Sequence, residues 1–524
     1  MKKKSLTILL TILWMVFTTA SSFAIDVSVK DFGAKGDGKT DDRLAIQATI
    51  EAVNKAGGGI VNFPEGIYIV TAPNKGQWQA QLKLCNNLKL QGKGMYKSVI
   101  KIADNQDSYD VILSGDSISG FSMIDLGIDA NGATNPVVSK TDNVKSPWLH
   151  ALVYLSYAKD IAIQRCHFTN FSGVWAIYGL YRAENMLIDA CLFDNIGGYT
   201  LNDWDHSCIR IDGYGPIVVS NNTLTSRFGS GTTGARTAIE LHGSNIKFNN
   251  NHISGFRYGI NVCSGGDDKS LRASAQEIYG SEIKSDIPSV HQYYMDNTFV
   301  NVGSGFCIWG IDSRKFDDLV FERNDITIDV TGWKKFWPDF GGIEIVSYSD
   351  QEPPEMIENL RIVDNHITYI NSEGGTNRSF GMKFDFGVFN PKDNKWSVNP
   401  NGKMKNAVIS RNIISGAYWT GMYFNCVASN LEISDNIIID PAKGTGTGDR
   451  EWQCAIKLTN SIENVRILDN AFYIHTKPLV SAIYDTAANQ GKCVYLNNRI
   501  SGERATGIPI YFSAPGRKGE EWNK

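Results

Sequence analysis

Ile217–Leu224 reads IVVSNNTL, Ile246–Ile253 reads IKFNNNHI and Leu431–Ile438 reads LEISDNII, so three distant segments share one phrase. In each segment apolar and polar residues alternate, an asparagine follows, and another apolar residue comes next. The phrase recurs from about Ala151 onward, with its asparagine at Asn222, Asn251, Asn297, Asn324, Asn365, Asn412, Asn436, Asn470 and Asn498. Cys166 and Cys191 occupy the same position in the two preceding repeats. Alternation with a period of two is typical of β-strands, and recurrence of one unit is typical of a solenoid.

The recurring asparagine has a structural cause in such a solenoid. When coils stack directly over one another, side-chain amides at equivalent positions hydrogen-bond each other along the stack. Asparagine also tolerates the left-handed backbone of a tight bend between strands. The asparagine column therefore needs no catalytic explanation. Period-two alternation excludes a helical solenoid, and the spacing lacks the four strands per blade of a propeller, so the sequence predicts a parallel β-helix.

The segment Asp31–Tyr68 differs from the repeats and predicts a cap over the first coil. It reads DFGAKGDGKTDDRLAIQATIEAVNKAGGGIVNFPEGIY. Thr40 or Asp41 is the expected N-cap of a helix that runs to about Lys55. The predicted buried face of this helix comprises Ala45, Ile46, Ala48, Thr49, Ala52 and Val53. The alternative is a glycine-rich phosphate loop, which is disfavoured because no strand precedes it at the required spacing and its acidic pair would repel phosphate.

The motif DFGAKGDGKTDD, followed by AIQ, AGGG and FPEGIY, closely resembles the opening of the pectate-lyase-like superfamily domain. That superfamily includes polygalacturonase-like hydrolases, related β-helix glucanases and phage tailspikes. The resemblance implies an all-β, single-stranded right-handed parallel β-helix, a pectin-lyase-like solenoid with an N-terminal capping helix, that acts on carbohydrate. The catalytic signatures of polygalacturonases do not occur in register, so the resemblance does not fix the reaction. The expected organisation is a signal peptide (1–24), a cap and first coil (25–75), the β-helix (76–502) and a loose C-terminal tail (503–524).

The first residues predict export. Lys2–Lys4 precede an apolar run, Leu6–Phe17, and a stretch of small residues up to Ala24, a pattern typical of a cleaved signal peptide. The run is shorter than the roughly 20 apolar residues of a membrane span. We therefore expect a secreted protein, extracellular or periplasmic, without a membrane partner after cleavage. A net charge of −4 over 524 residues offers no basic field for nucleic acid, and nine scattered cysteines predict neither a disulfide scaffold nor a zinc site.

The first strand of each repeat presents polar side chains on its outer face. Because side chains alternate on a strand, interior positions for residues such as Ile211 and Leu241 put their neighbours outside. The first outward column, called the first row, is Tyr178, Arg210, Glu240, Asn261, Glu344, Lys383, Tyr423, Lys457 and Tyr484. The second row is Asp212, His242, Cys263, Val346, Asp385, Asn425 and Thr459. The strand GFCIWG fits less well and leaves Trp309 outward. The two rows together, called the wall, predict an exposed functional groove.

Two diagonal carboxylate pairs on the wall suggest catalysis. The candidate catalytic residues are Asp212, Glu240, His242, Glu344, Lys383 and Asp385. In each pair, Asp212–Glu240 or Glu344–Asp385, one carboxyl can protonate the leaving oxygen while the other activates water or attacks the sugar. Like-charge proximity would raise one pKa, as a general acid requires. A secreted glycoside hydrolase is the first prediction, with the pair around Glu240 slightly favoured.

A polysaccharide lyase or epimerase is the main rival. Elimination across a uronate requires a cation that neutralises the carboxylate and a base that takes the α-proton. Lys383 or Lys457 can be that base, with Arg210 near the leaving oxygen. Hydrolysis requires no cofactor, whereas a lyase could use calcium held by acidic wall residues. A noncatalytic carbohydrate-binding solenoid is the third possibility.

Aromatic and basic residues near the wall are candidate sugar contacts. Trp and Tyr rings stack on the apolar faces of sugars while their polar atoms hydrogen-bond hydroxyls. The candidate substrate-binding residues are Arg210, Tyr423, Lys457, Trp204, Trp309 and Trp337. The expected partner is a polysaccharide or oligosaccharide, and neither its sugar and linkage nor the oligomeric state of the protein follows from the sequence.

Overall fold

The computed structural model describes residues 25–72, 80–106, 111–135, 151–171, 173, 175–196, 207–213, 215–226, 237–263, 289–309, 315–329, 339–349, 356–370, 378–390, 395–398, 402–444, 450–460, 462–486, 493–504 and 510–512. The predicted signal peptide, Trp204 and Trp337 lie outside these residues, as does the side chain of Trp309. Within these ranges, no helix combines the length and apolar character needed to cross a bilayer.

Three parallel sheets wind around one apolar core as a right-handed β-helix. The wall sheet comprises Ala80–Lys83, Val111–Asp116, Ala151–Ser156, the beginning of Trp175–Asp189, Ser207–Gly213, Thr237–Gly243, Tyr258–Cys263, Ser304–Trp309, Asp339–Ser349, Arg378–Asn390, Met422–Asn425, Ile456–Thr459, Ile483–Asp485 and Ile510–Phe512. Lys395–Val398 pairs antiparallel with the end of Arg378–Asn390. The predicted fold is confirmed.

Each coil then continues through a second and a third sheet. The second sheet comprises Ile25–Ser28, Gly59–Asn62, Leu88–Gln91, Ser122–Ile124, Lys159–Gln164, the end of Trp175–Asp189, Ile217–Ser220, Ile246–Asn249, Ser289–Met295, Lys315–Glu322, Met356–Val363, Lys403–Ser410, Val427–Ser434, Ile462–Leu468 and Cys493–Leu496. The third sheet comprises Asp37–Asp41, Gly66–Val70, Ser98–Ile102, Gly127–Asp129, His167–Phe171, Leu192–Ile196, Thr223–Thr225, His252–Ser254, Thr298–Val302, Asp325–Asp329, His366–Ile370, Ile413–Ser415, Ile437–Ile439, Ala471–Tyr473 and Arg499–Ser501.

The corner between the third sheet and the wall sheet requires small residues. A Cβ on Gly259 would lie 2.5 Å from a ring carbon of Phe299, and one on Gly381 would lie 2.5 Å from Ile414 Cγ2. Both distances are far below van der Waals contact, so a larger side chain would push the wall strand off the core. This packing explains why the wall strands begin near glycine or alanine.

The asparagine column is a continuous hydrogen-bonded ladder. Both the backbone N–H and the side-chain amide of Asn412 donate to Asn436 Oδ1 at 2.9 Å, and the pattern repeats along the column. All nine asparagines are buried. Cys191 N–H joins the ladder by donating to Asn222 Oδ1 at 2.9 Å, so the predicted structural role is confirmed.

The left-handed bend beside the ladder does not involve the ladder asparagines, and that part of the prediction is wrong. Positive φ occurs one residue earlier, as at Asn221 (56°) and Asp435 (57°). A second, exposed column also carries positive φ, and there Asn430 Nδ2 donates to Asn406 Oδ1 at 2.9 Å. The ladder asparagine is thus selected for its amide, while its predecessor makes the bend.

The capping helix spans Arg43–Lys55, with Asp42 as its N-cap, so the prediction of Thr40 or Asp41 is wrong. The Asp42 carboxylate accepts from the backbone N–H groups of Lys35 and Gly36, at 2.6 and 2.9 Å, and so secures the preceding loop. The buried helix face consists of Ile46, Thr49, Ile50 and Val53. The three alanines predicted for that face are only half-buried.

The coil stack continues beyond the predicted end of the β-helix. Ile510–Phe512 pairs in parallel with Ile483–Asp485 of the wall sheet. Part of the segment predicted to be a loose tail therefore forms a further wall strand.

Candidate functional site

The register of the wall sheet confirms the first row. Consecutive Cα partners are Tyr178, Arg210, Glu240, Asn261, Cys307, Glu344, Lys383, Tyr423, Lys457 and Tyr484. Ile209, Ile211, Ile239 and Leu241, which flank the row, are fully buried in the core. Cys307 fills the coil that the sequence left without a first-row residue. Glu240, Glu344 and Lys383 therefore share one side of the molecule.

The second row is confirmed in the same way. Asp212 pairs with His242, and His242 pairs with Cys263. Further along, consecutive partners are Trp309, Val346, Asp385, Asn425 and Thr459. Trp309 thus belongs to this row by register.

The expectation of an exposed wall is wrong. The side chains of Lys383 and Lys457 retain only 4% and 3% of their exposure, and Glu344 is also buried. The side chains of Arg210, Asp212, Glu240 and His242, called the central cluster, retain 10 to 16%. Among the predicted catalytic residues, the central cluster and Asp385, which retains 14%, are therefore more accessible than Lys383 and Glu344.

The central cluster is a compact network of charges. Arg210 lies between the two carboxylates, with its NH1 nitrogen 3.3 Å from Glu240 Oε1 and its Nε 3.6 Å from Asp212 Oδ1. His242 Nε2 lies 2.9 Å from Glu240 Oε1 and 3.9 Å from Asp212 Oδ1. The predicted pair Asp212–Glu240 is thus brought together through a shared cation and a shared imidazole.

Glu240 is an anion at any working pH. Burial by itself would raise its pKa, but the Arg210 charge, the His242 contact and the Ser207 hydroxyl outweigh burial and hold the pKa at about 2. The expectation that crowding raises one pKa is therefore wrong for Glu240. This carboxylate is not a general acid, because it carries no proton to give.

The two carboxylates of the second predicted pair accept hydrogen bonds from different residues. Glu344 accepts a hydrogen bond from Ser304 Oγ at 2.6 Å, and Ser304 accepts one from the buried Arg257 at 3.0 Å. Asp385 instead lies 3.6 Å from Lys383 Nζ and accepts from Asn425 Nδ2 at 2.6 Å. The structure places Glu344 and Asp385 on neighbouring coils as predicted, but each has its own partners.

A column of hydroxyl side chains beside the first row was not predicted from the sequence. Ser207, Thr237, Tyr258 and Ser304 lie in register three residues before the first row. Ser207 Oγ donates to Glu240 at 3.2 Å, just as Ser304 donates to Glu344 one coil on. The signal in the sequence was a serine three residues before a wall position, followed one coil later by a glutamate.

Aromatic rings flank the central cluster on the side of the preceding coils. Trp175 and Tyr178 stack with ring centroids 3.9 Å apart, and Arg210 Cζ lies 5.8 Å from each centroid. A guanidinium held between two carboxylates and beside two rings is fixed in position.

The described residues do not fit a calcium site. In them, no three His, Cys, Asp or Glu side chains are grouped as metal ligands. At the central cluster the Arg210 guanidinium occupies the space between the carboxylates, where a cation would have to bind.

A family model matches the N-terminal part of the chain, and two curated proteins match shorter stretches of it. The family described as "Rhamnogalacturonase A/epimerase, pectate lyase-like" matches residues 26–261, a range that contains the whole central cluster. Mannuronan C5-epimerase AlgE6 of Azotobacter vinelandii is 44% identical over 122 residues, which are 22% of this chain and 14% of that protein. Alginate lyase 7 of the same organism is 43% identical over 111 residues, 20% of this chain and 13% of that protein. The chain thus spans only a small part of either relative.

One group of solved structures shares the fold along nearly the whole chain. A tailspike protein mutant of E. coli bacteriophage HK620, in complex with a pentasaccharide, matches with a TM-score of 0.62 at 15% identity. The match covers 93% of this chain and 80% of that chain. At this identity the likeness shows the β-helix fold alone.

Proposed function

We propose that this chain, a parallel β-helix whose residues 26–261 match a pectate-lyase-like family model, is a secreted enzyme that removes the proton α to the carboxylate of a uronate-containing polysaccharide. The outcome is β-elimination or epimerisation. The observation that carries the proposal is the contact of 2.9 Å between His242 Nε2 and Glu240 Oε1 beside Arg210, on the more accessible part of the wall.

His242 is suited to act as the base. We assign the Nε2 proton to the contact with Glu240, which leaves Nδ1 as the basic atom of the neutral ring. When the ring takes a second proton, the imidazolium is stabilised by the carboxylates of Glu240 and Asp212, 2.9 and 3.9 Å away. The Arg210 charge beside Glu240 keeps that carboxylate ionised, so it stays available to accept the hydrogen bond from His242 Nε2–H.

Arg210 is the candidate partner of the substrate carboxylate. Removal of the α-proton places negative charge on the uronate carboxylate, and a fixed cation stabilises that charge as it develops. In elimination, the C5–H bond gives its electrons to a C4=C5 double bond while the C4–O bond breaks and the leaving oxygen takes a proton from water. In epimerisation, C5 instead takes a proton that derives from water on the opposite face. The relatives named mannuronan C5-epimerase and alginate lyase support this chemistry.

Hydrolysis remains a second candidate because Asp212 and Glu240 do lie together across one guanidinium. It would need Asp212 to supply a proton while Glu240 or His242 activates water. The low pKa of Glu240 keeps that carboxylate ionised, so Glu240 cannot supply the proton that the leaving oxygen needs. Proton abstraction is therefore the better-supported reaction.

The test is incubation with mannuronan, polygalacturonate and a neutral glucan in D₂O. We expect the acidic polymers alone to give either the ultraviolet absorbance of an unsaturated uronate or deuterium at C5, detected by NMR. His242→Ala should abolish both signals. His252→Ala is the matched control, because His252 is exposed on the third sheet of the same coil.

Two outcomes would overturn the proposal. New reducing ends without absorbance or deuterium would establish hydrolysis. Retention of the polymer without any product would establish a binding protein.

A further inference from the structure

Lys457 lies at the far end of the wall, in an unusual environment for an ammonium group. Its side chain is 3% exposed, and Nζ lies 3.3 Å above the ring centroid of Trp452. Tyr423 and Tyr484 of the adjacent coils lie 5.8 and 5.7 Å from the same nitrogen. Six coils separate this site from Glu240, which is roughly 29 Å at about 4.8 Å per coil.

The carboxylate that pairs with Lys457 comes from an exposed loop. Glu451 Oε2 lies 3.1 Å from Nζ, but the Glu451 side chain is 57% exposed. Burial lowers the pKa of Lys457, and the Glu451 contact opposes that effect. The buried cation Lys457 is therefore paired with an anion that faces water. Such a pair is weak, because water can replace Lys457 as the hydrogen-bond partner of the Glu451 carboxylate.

Two tryptophans near Lys457 are partly exposed: Trp452 belongs to the same loop as Glu451, and Trp419 to the preceding connection. Glu451 and Trp452 belong to the short turn Arg450–Trp452, and Trp452 packs 4.8 Å from Trp419 and 4.9 Å from Tyr423, centroid to centroid. Trp419 and Trp452 are half-buried, so parts of both rings remain accessible. Partly exposed tryptophans beside a cation can stack on sugar rings while the cation takes an acidic substituent.

A polar column borders these rings. Asn425 lies between Asp385 and Thr459: its amide donates to Asp385 Oδ1 at 2.6 Å, and Thr459 Oγ donates to Asn425 Oδ1 at 2.8 Å. Asn460 also donates to Asn425. These groups are fixed by one another and offer planar amides and hydroxyls, which are the groups that recognise sugar hydroxyls.

We infer that Lys457, with Trp419, Tyr423 and Trp452 around it, forms a carboxylate-binding subsite for an acidic sugar, and that Glu451 fills this subsite as an internal substitute for the sugar carboxylate. The inference deepens the proposed function and rests on its uronate substrate. Binding of the polymer here displaces Glu451 from Lys457 and holds the chain far from the reacting sugar. The subsite is a binding element, not part of the chemistry.

The test is titration calorimetry with an oligomannuronate and with a neutral oligosaccharide of equal length. Glu451→Gln removes the competing charge, and we expect it to bind the acidic ligand about 2- to 5-fold more tightly, the range expected for a weak exposed pair. Lys457→Met keeps the apolar stem but removes the cation, and it should bind at least about tenfold more weakly. Affinity for the neutral ligand should not change.

Matched controls are Glu358→Gln and Lys405→Met, which break an ion pair of 3.3 Å on the second sheet, away from the wall. Glu451 is on the surface, so Glu451→Gln tests the inference even if Lys457→Met folds poorly. Unchanged acidic affinity in Glu451→Gln, or in folded Lys457→Met, would overturn the subsite. Binding that responds as expected, without elimination or deuterium incorporation, would overturn the proposed reaction and leave the subsite standing.

Discussion

The asparagine ladder and the first row are both columns of polar side chains that recur once per coil, yet they differ in composition. The ladder repeats one residue type from Asn222 to Asn498, and each member satisfies the next. The first row changes from aromatic ring to cation to anion over the neighbouring coils of Tyr178, Arg210 and Glu240. A column of one residue type, such as the ladder, hydrogen-bonds to itself. A column of varied residue types, such as the first row, is suited to contact another molecule.

The two columns also differ in their electrostatics. The ladder is neutral and fully buried, so it stabilises the stack without ionisation. The central cluster concentrates charges at partial exposure and holds the pKa of Glu240 at about 2. A protein does not need such a cluster to hold coils together, because the ladder already does so.

The largest effect should follow from His242→Ala. Loss of a general base slows a reaction by about 10²- to 10⁴-fold, so turnover of the acidic polymer should fall by that factor. The loss of stability should stay near that of one hydrogen bond, about 1 kcal/mol, because His242 lies outside the core and only its contact with Glu240 is removed. If His242→Ala lost much stability but kept normal turnover per folded molecule, the wall would be structural like the asparagine ladder, and the account would be wrong.

Asn436→Ala should show the opposite behaviour. It removes the oxygen that accepts from Asn412 and leaves buried donors without partners, at an expected cost of about 2–4 kcal/mol in the free energy of unfolding. The control is Asn430→Gly in the exposed column, where glycine suits the positive φ and the cost should stay within about 0.5 kcal/mol. Urea denaturation measures both, and equal losses would contradict the ladder's role.

Glu240→Gln should make the free energy of unfolding less dependent on pH in the acidic range. The folded pKa of about 2 lies below the ordinary value of 4.5, so the stabilisation is complete above about pH 4.5 and is lost as the pH falls toward 2. The linked free energy is roughly 3 kcal/mol for this shift. Urea midpoints measured across that pH window should fall more steeply for the parent than for the variant. If the urea midpoints of parent and variant fell equally with pH, Arg210 and His242 would not be lowering the pKa of Glu240.

Ser207→Ala should have the smallest effect. One hydroxyl bond of 3.2 Å to Glu240 is lost, which should cost about 1 kcal/mol at most. Ser304→Ala should cost more, because both Glu344 and the buried Arg257 lose a partner. The comparison sharpens the difference between the accessible central cluster and the buried part of the wall. Thermal denaturation of the two variants measures it, and a larger loss for Ser207→Ala would reverse the interpretation.

The sequence predicted the fold and the register because both depend on local pattern. Period-two alternation decides which residues face inward, so Arg210, Glu240 and Lys383 could be aligned in one row without coordinates. The burial of the wall could not be predicted in this way, because it depends on how connections fold back over the strands. Glu451 and Trp452 reach Lys457 from such a connection.

The direction of the Glu240 pKa shift also could not be predicted from the sequence. Its neighbours on adjacent coils were named correctly, but the sign of the shift depends on distances. Crowding with Asp212 would raise the pKa, whereas Arg210 at 3.3 Å lowers it. Only the three-dimensional structure shows that Arg210 lies close to both carboxylates, 3.3 Å from Glu240 and 3.6 Å from Asp212.

The most direct test of the wall as the reaction surface is a crystal structure of the His242→Ala protein with a bound oligomannuronate. The account predicts a sugar carboxylate at Arg210, with C5 of the same sugar facing the space vacated by the imidazole. A sugar bound to the second or third sheet, with the wall empty, would contradict it.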